Sequence, residues 1–196
     1  MKKIFTLMLI FFVSLTSVAL AKKPIKIARV PIIIQQNKLD RETSAALEMK
    51  MARAVNIPLN KTLKIAEYIP PKEAAEILGD IWQEMYYKNR KAKITDAVKV
   101  LADEIQADLV VCPILHRYEQ HADMVGINFE THLKSYVSAE LIVYDKQTGN
   151  LIDKKTSRRF NDGYNKYHTK SYLAGDCFEQ LLQDTDLRQI IRSKKG

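Results

Sequence analysis

Apolar residues recur along this chain with two periods, and the change of period separates predicted helices from predicted strands. Apolar residues three and four positions apart, as on one face of a helix, occur in four segments: 41–55, 73–87, 95–106 and 173–183. Continuous or alternating apolar residues, as in strands, occur in five segments: 25–34, 63–69, 108–118, 137–144 and 151–160. A short terminal turn over 187–191 completes the series.

Residues at the segment boundaries support these limits. Asp40 is a typical N-cap for the first helix, and Pro71 suits the first turn of the second helix, where no N–H is needed. Pro31 predicts a bulge or an interruption late in the first strand. The segment 145–150, which contains Gly149, has the residue types of a turn between two strands.

The order of the segments predicts the fold of residues 22–196. Helices alternate with strands in the first half and three strands follow one another in the second, which gives the order β-α-β-α-α-β-β-β-α. This order is typical of an α/β (α+β) sandwich, in which helices cover a mixed sheet that ends in an antiparallel meander. No linker or low-complexity tract interrupts the chain, so a single domain is expected.

The first 21 residues have the three parts of a secretory signal peptide. Lys2 and Lys3 precede an apolar run over 4–20, and small residues at Ala19 and Ala21 predict cleavage after Ala21. The mature chain is then periplasmic or secreted and has no transmembrane segment. The alternative is that the apolar run is kept as a membrane anchor. The residue after the cleavage site is not cysteine, so a lipid-modified amino terminus is not indicated.

The predicted compartment bears on the two cysteines, Cys112 and Cys177, because disulfides persist outside the cytoplasm. Each cysteine lies in an apolar stretch, which predicts burial. One interpretation is a disulfide between them, which requires Cα atoms within about 7 Å of each other. The other interpretation is two core thiols that never meet, and the spacing does not decide between them.

Motifs that carry catalysis are absent from the sequence. The chain contains no nucleophile elbow, no His-Glu-x-x-His, no Cys-x-x-Cys and no glycine-rich loop, and it has only 6 glycines. The sequence therefore predicts a protein that is not an enzyme and that carries no cofactor. The alternative is a small hydrolase of envelope polymers whose two catalytic carboxylates come together only in the fold.

Three histidines and nearby acidic residues form the only set with metal-ligand chemistry, and they are His116, Glu119, His121, Asp123, Glu130 and His132. Imidazole and carboxylate groups on neighbouring strands could hold zinc. None of these residues has a recognised metal-ligand spacing, so the sequence predicts no metal site. A histidine-based metal-binding protein is kept as an alternative.

The net charge of +8 is concentrated in one segment, residues 146–172, with seven basic and two acidic side chains. Its cations and tyrosines predict a binding surface formed by eight residues: Lys154, Lys155, Arg158, Arg159, Tyr164, Lys166, Tyr167 and Lys170. The predicted partner is an envelope protein or an anionic envelope polymer. Nucleic acid is not expected because the chain is predicted to be exported. The alternative is a solvated edge strand whose lysines prevent aggregation.

Two short motifs resemble those of an envelope superfamily. Ala107-Asp108 opens a strand, and Asp145-x-x-Thr148-Gly149 follows a later strand. The order of elements and these motifs resemble curli-secretion channel subunits, lipoprotein activators of penicillin-binding proteins and the TolB amino-terminal domain. The resemblance spans most of 25–192 and implies a non-enzymatic role in the envelope, without catalytic residues to transfer. The chain departs from the pattern by having Cys112-Pro113 where such proteins often have glycine, and by lacking the lipidation cysteine.

Overall fold

The sheet has six strands in the computed structural model, which describes residues 23–36, 38–125 and 130–194. The strands are β1 (Ile25–Arg29), β2 (Ile33–Ile34), β3 (Ala66–Ile69), β4 (Leu109–Val125), β5 (Glu130–Asp145) and β6 (Asn150–Gly163). Their order is β3-β1-β4-β5-β6, and β2 pairs with β4 beside β1. The predicted signal peptide, residues 1–21, lies outside the described residues.

Helices connect and cover these strands. They are α1 (Arg41–Val55), α2 (Asn60–Leu63), α3 (Pro71–Lys88), α4 (Ile94–Glu104), α5 (Lys170–Asp184) and α6 (Leu187–Ser193), with a 3-10 turn over Lys166–His168. β1 runs parallel to both β3 and β4, whereas β4, β5 and β6 form an antiparallel meander. The predicted class, an α/β sandwich around a mixed sheet, is confirmed. No helix in the described part of the chain is both long and apolar enough to cross a bilayer.

The sheet separates two apolar cores. One face packs against α1, α5 and α6 and includes Leu47, Met51, Leu141, Phe178 and Leu181. The other face packs against α3 and α4 and includes Ala74, Leu78, Val98, Leu101 and Ile142. Because strand side chains alternate between faces, each strand of the meander contributes to both cores.

This separation decides between the two interpretations of the cysteines. Cys112 lies in the core beneath α3 and α4, and Cys177 lies in the core on the opposite side of the sheet. Both thiols are free and fully buried, so the disulfide between Cys112 and Cys177 is not formed. Burial raises the pKa of Cys112 to about 12 and that of Cys177 to about 11, which leaves both as unreactive thiols at neutral pH.

Several boundaries differ from the predictions. The first predicted strand divides around Pro31 into β1 and β2, and both pieces pair with β4. The strand predicted over 63–69 begins only at Ala66, because α2 extends to Leu63 and Lys64 caps it with a φ of 46°. The side-chain amide of Asn60 donates to the carbonyl oxygen of Ala66 and its oxygen accepts from the N–H of Ala66, which joins α2 to β3.

The motifs that carry the sequence resemblance have structural roles. The carboxylate of Asp108 accepts a hydrogen bond from the N–H of Lys26 at 2.8 Å, which fixes the start of β4 against β1. Asp145 accepts from the N–H of Gln147 at 2.9 Å and shapes the turn before β6. Gly149 has a φ of 69°, a backbone conformation that glycine adopts without steric cost. These residues therefore specify the fold.

Asp40 joins α1 to the sheet as well as capping it. One carboxylate oxygen accepts from the N–H of Thr43 at 2.8 Å, and the other accepts from the hydroxyl of Tyr118 at 2.8 Å. The bond from the Thr43 N–H, followed by the bond from Tyr118, lowers the pKa of Asp40 to about 2. The Tyr118 hydroxyl also contacts the Ser171 hydroxyl of α5 at 2.8 Å, so one buried tyrosine links two helix starts.

Replacing Asp40 by alanine should lower the free energy of unfolding at pH 7 by about 1 kcal/mol, the usual loss for an N-cap. Because the pKa is depressed on folding, this stabilisation is complete above the ordinary Asp value of 3.8 and declines as the pH falls towards 2. Urea unfolding at pH 7 and at pH 2.5 measures both values, with Asp40→Asn as the control that keeps an acceptor. A deficit that does not change with pH would contradict this role of the charge.

Candidate binding surface around the outer strand

β6 is the outer strand of the meander, because β5 pairs with one of its edges and it ends the strand order. We call the eight predicted binding residues the β6 surface; they are Lys154, Lys155, Arg158, Arg159, Tyr164, Lys166, Tyr167 and Lys170. Ile152 and Phe160 belong to the core beneath α5, and Leu151 packs against the opposite core. By alternation, Lys154 and Arg158 share the α5 side, whereas Lys155 and Arg159 lie on the other side.

Arg158 forms hydrogen bonds with side chains of α5. Its Nε donates to the carboxylate of Asp176 at 2.5 Å, and its guanidinium also donates to the side-chain oxygen of Gln180. The bond to Asp176 raises the pKa of Arg158 above its ordinary value. The charge of Arg158 is therefore paired with Asp176 and attaches β6 to α5, while its role as a binding cation stays a prediction.

Arg159 lies on the other side of the sheet with Arg117 and Tyr136. Tyr136 is directly opposite Arg159 in the β5–β6 register. The two guanidinium carbons lie 5.6 Å and 5.5 Å from the centre of the Tyr136 ring, which is the geometry of a cation–π contact. Both arginines are exposed, and neither has a carboxylate partner among the described residues. The sequence did not single out Arg117 or Tyr136, which lie on other strands.

Lys155 takes part in a cluster of charged groups around Glu140. The Glu140 side chain is only 2% exposed, and its carboxylate lies 2.5 Å from Nε2 of His116 and 3.3 Å from Nζ of Lys155. The other ring nitrogen of His116 is 2.7 Å from the side-chain oxygen of Gln35. Burial, and then the neighbouring Glu140, raise the pKa of Asp153. Lys155 is thus partly neutralised by a buried acid.

The Glu140 cluster was not predicted from the sequence, because Glu140 occupies a polar position of an alternating strand. Such a position is normally solvated. The register irregularity between Leu115 and Arg117 is what displaces His116 from regular pairing on β4. A local distortion of this kind has no signature in the residue types alone.

The cluster gives little support to the hydrolase alternative. Glycosidases hold their two carboxyl groups about 5–10 Å apart to admit a sugar or a water molecule. Asp153 and Glu140 interact directly, and Glu140 is already occupied by His116 and Lys155.

The alternative of a histidine-based metal site depends on residues of β4 and β5. His121 lies opposite Lys134 and His132 lies opposite Asp123, and Lys134 donates a hydrogen bond to Asp123 at 2.8 Å. Within residues 23–36, 38–125 and 130–194, no three His, Cys, Asp or Glu side chains form a metal-binding group. The side chain of Glu130 lies outside the described part of the chain.

The β6 surface ends in four residues that follow the strand and are aromatic or cationic: Tyr164, Lys166, Tyr167 and Lys170. Tyr164 and Tyr167 are 64% and 50% exposed, and the Tyr167 ring makes an edge contact with Tyr172 at 5.3 Å. Nζ of Lys166 lies 4.9 Å from the centre of the Tyr167 ring, and Nζ of Lys170 lies 4.4 Å from that of Tyr118. Neither lysine forms an ion pair within the described residues. This end combines tyrosine rings with free positive charge, as binding surfaces often do.

No family model matches the chain, and no curated protein matches it. Similar solved structures include lipoprotein GNA1162 from Neisseria meningitidis, at 16% identity and a TM-score of 0.37, covering 82% of this chain and 99% of that one. The PelC dodecamer from Paraburkholderia phytofirmans has 14% identity and a TM-score of 0.40, covering 82% and 86%. The LpoB C-terminal domain from Salmonella enterica has 8% identity and a TM-score of 0.33, covering 69% and 83%. At these identities and TM-scores, the likenesses carry no conclusion on the superfamily, activity or partner of this chain.

Proposed function

We propose that this chain is a non-enzymatic accessory protein of the bacterial cell envelope that acts in the periplasm or after secretion. It binds an envelope protein or an anionic envelope polymer through the β6 surface. The observation that carries the proposal is that Lys154, Arg159 and Lys166 are exposed and have no carboxylate partner among the described residues.

The chemistry of the β6 surface suits an anionic partner. Lys154 and Arg159 project to opposite sides of an outer strand, so a partner that follows its free edge would meet both charges. Exposed Tyr164 and Tyr167 add large, rigid apolar area with a hydroxyl at the end, at low conformational cost. Lysines on an outer strand also discourage pairing with other strands, so binding has to be measured directly.

The test reverses the three free charges together, as Lys154→Glu, Arg159→Glu and Lys166→Glu. Immobilised wild-type protein, without residues 1–21, should retain an acidic component of a native envelope extract. The triple variant should retain about tenfold less of this component, because each lost cation weakens an electrostatic contact. Retention by the wild type should also fall as the salt concentration rises.

A matched control reverses three exposed cations elsewhere, as Lys61→Glu, Arg90→Glu and Lys91→Glu, with the same change in net charge. Equal loss of retention in both triple variants would show that only total charge matters and would overturn the assignment of the β6 surface. Digesting the extract with a protease separates the two partner classes. Retained material that survives digestion is a polymer, and material that is lost is a protein. Unchanged thermal unfolding verifies that each variant is folded.

A further inference from the structure

Apart from the β6 surface, the structure has a groove between α1 and the last two helices, α5 and α6. It consists of two adjoining cavities of about 240 Å³ and 710 Å³, whose linings share Arg53, Ala54 and Arg188. The smaller cavity is lined by Arg53, Ala54, Asn56, Ile57, Pro58, Arg188, Ile191 and Arg192. Three of these eight residues are arginines and none is acidic.

The smaller cavity has an apolar floor and a cationic rim. Ala54, Ile57 and Ile191 are at most 8% exposed and form the floor. The rim arginines form no ion pair with any described carboxylate. The acidic residues nearby line the adjoining cavity, where Glu179 is held by Lys50 at 2.6 Å and Asp186 precedes α6. The Arg188 charge contributes only a minor part of the lowered pKa of Glu179, after Lys50.

Helix electrostatics account for only part of this arrangement. Arg53 and Arg192 lie in the last turns of α1 and α6, where a cation is favourable. Arg188 lies in the first turn of α6, where a cation is unfavourable. Arg188 and Arg192 are also four residues apart on one helix, a spacing at which like charges repel. Arg188 and Arg192 thus carry a repulsion that a bound anion would remove, and Arg53 lines the same cavity.

We propose that the smaller cavity is a binding site for a phosphate ester, with Arg53, Arg188 and Arg192 as its ligands. The planar guanidinium group donates two parallel hydrogen bonds to phosphate oxygens, so three of them can surround a single phosphate. Asn56 adds an exposed amide at the same rim. The volume is below the range of about 300–1,000 Å³ of drug-sized ligands and suits a phosphate with a small organic group. A free phosphate ester and a phospholipid headgroup share this chemistry.

Isothermal titration calorimetry at constant ionic strength tests the site with two probes. The first is glycerol phosphate in solution, and the second is a vesicle of phosphatidylglycerol compared with one of phosphatidylcholine. Arg188→Gln should weaken binding at least about tenfold, as expected for the loss of one bidentate pair. Without phosphate, this variant should unfold at the wild-type temperature or above it, because a repulsion is removed. Arg90→Gln removes one exposed cation elsewhere and should bind like the wild type.

Each outcome of these titrations either supports the phosphate site or overturns it. Binding of glycerol phosphate that Arg188→Gln weakens supports a free ester as ligand. Binding confined to phosphatidylglycerol vesicles, and weakened by the same variant, supports a lipid headgroup. Absence of binding to both probes overturns the proposal, as does equal weakening by Arg188→Gln and Arg90→Gln. A lower unfolding temperature of Arg188→Gln without phosphate would also contradict it, because the arginine would then be a structural cation.

Discussion

Replacing Lys194 by alanine should lower the free energy of unfolding by about 3 kcal/mol, the usual cost of removing one member of a buried ion pair. Nζ of Lys194 donates to Asp145 at 2.6 Å and to the side-chain oxygen of Gln147 at 3.2 Å. The two charged side chains are only 6% and 13% exposed. Without Lys194, the Asp145 carboxylate remains partly buried with no cation, and the end of α6 loses its attachment to the β5–β6 turn.

The loss should depend on pH. Burial alone would raise the pKa of Asp145, but Lys194 and Thr148 lower it overall. A depressed pKa means that the pair stabilises the fold above the ordinary Asp value of 3.8 and stops doing so as the pH falls through the folded-state pKa. The difference in stability between the wild type and Lys194→Ala should therefore shrink in acid. Urea unfolding at several pH values measures it.

An exposed pair provides the control for Lys194. Lys72 lies 3.7 Å from Glu76, with side chains 90% and 67% exposed, and such pairs contribute at most about 1 kcal/mol. Lys72→Ala should therefore change stability far less than Lys194→Ala. Combining Lys194→Ala with Asp145→Asn should recover part of the loss, because the unpaired charge is then removed. Equal effects of the two lysine variants would contradict a buried pair.

Local signals in the sequence predicted most helices and strands, because their causes lie in neighbouring residues. Asp40 does cap α1, Pro71 does begin α3, and Gly149 does occupy a turn that favours positive φ. The sequence did not predict the end of β4, after residue 118, or the start of β5, before residue 137, because the local pattern is weak in both places. Polar residues such as Ser135 occupy inward positions there, so the alternation weakens although pairing continues to Val125.

The order of strands and the sides on which residues lie depend on contacts between distant segments. Arg158 and Arg159 are adjacent cations in one strand, yet the first is bonded to Asp176 of α5 and the second extends over Tyr136 on the other side of the sheet. Residue type alone assigns both to a binding surface. Only the position of α5 shows that Arg158 is paired with an acid, whereas Lys154, on the same side of β6, has no carboxylate partner among the described residues. The same separation of sides placed Cys112 and Cys177 in different cores.

The second large effect concerns the buried carboxylate of Glu140. Replacing His116 by alanine should lower the free energy of unfolding by about 2 kcal/mol, because a buried charged acceptor loses a hydrogen-bond partner. Lys155 remains at 3.3 Å, but its side chain is 62% exposed and it compensates only in part. His121→Ala, which removes an exposed histidine from the same strand, is the control and should change stability by less than about 0.5 kcal/mol.

A variant of Asp153 tests whether repulsion between the carboxylates of Asp153 and Glu140 lowers the stability of the fold. The pKa of Asp153 is raised on folding by burial and by Glu140, so the charged form destabilises the fold as the pH rises above the ordinary value of 3.8. Asp153→Asn should therefore raise the unfolding temperature at pH 7, with a gain that disappears below pH 3.8. The gain should be larger in the His116→Ala background, because the Glu140 carboxylate that raises the pKa of Asp153 has then lost its His116 partner. Urea unfolding of the four proteins measures this coupling. If the two changes simply add, His116 and Asp153 do not act through Glu140.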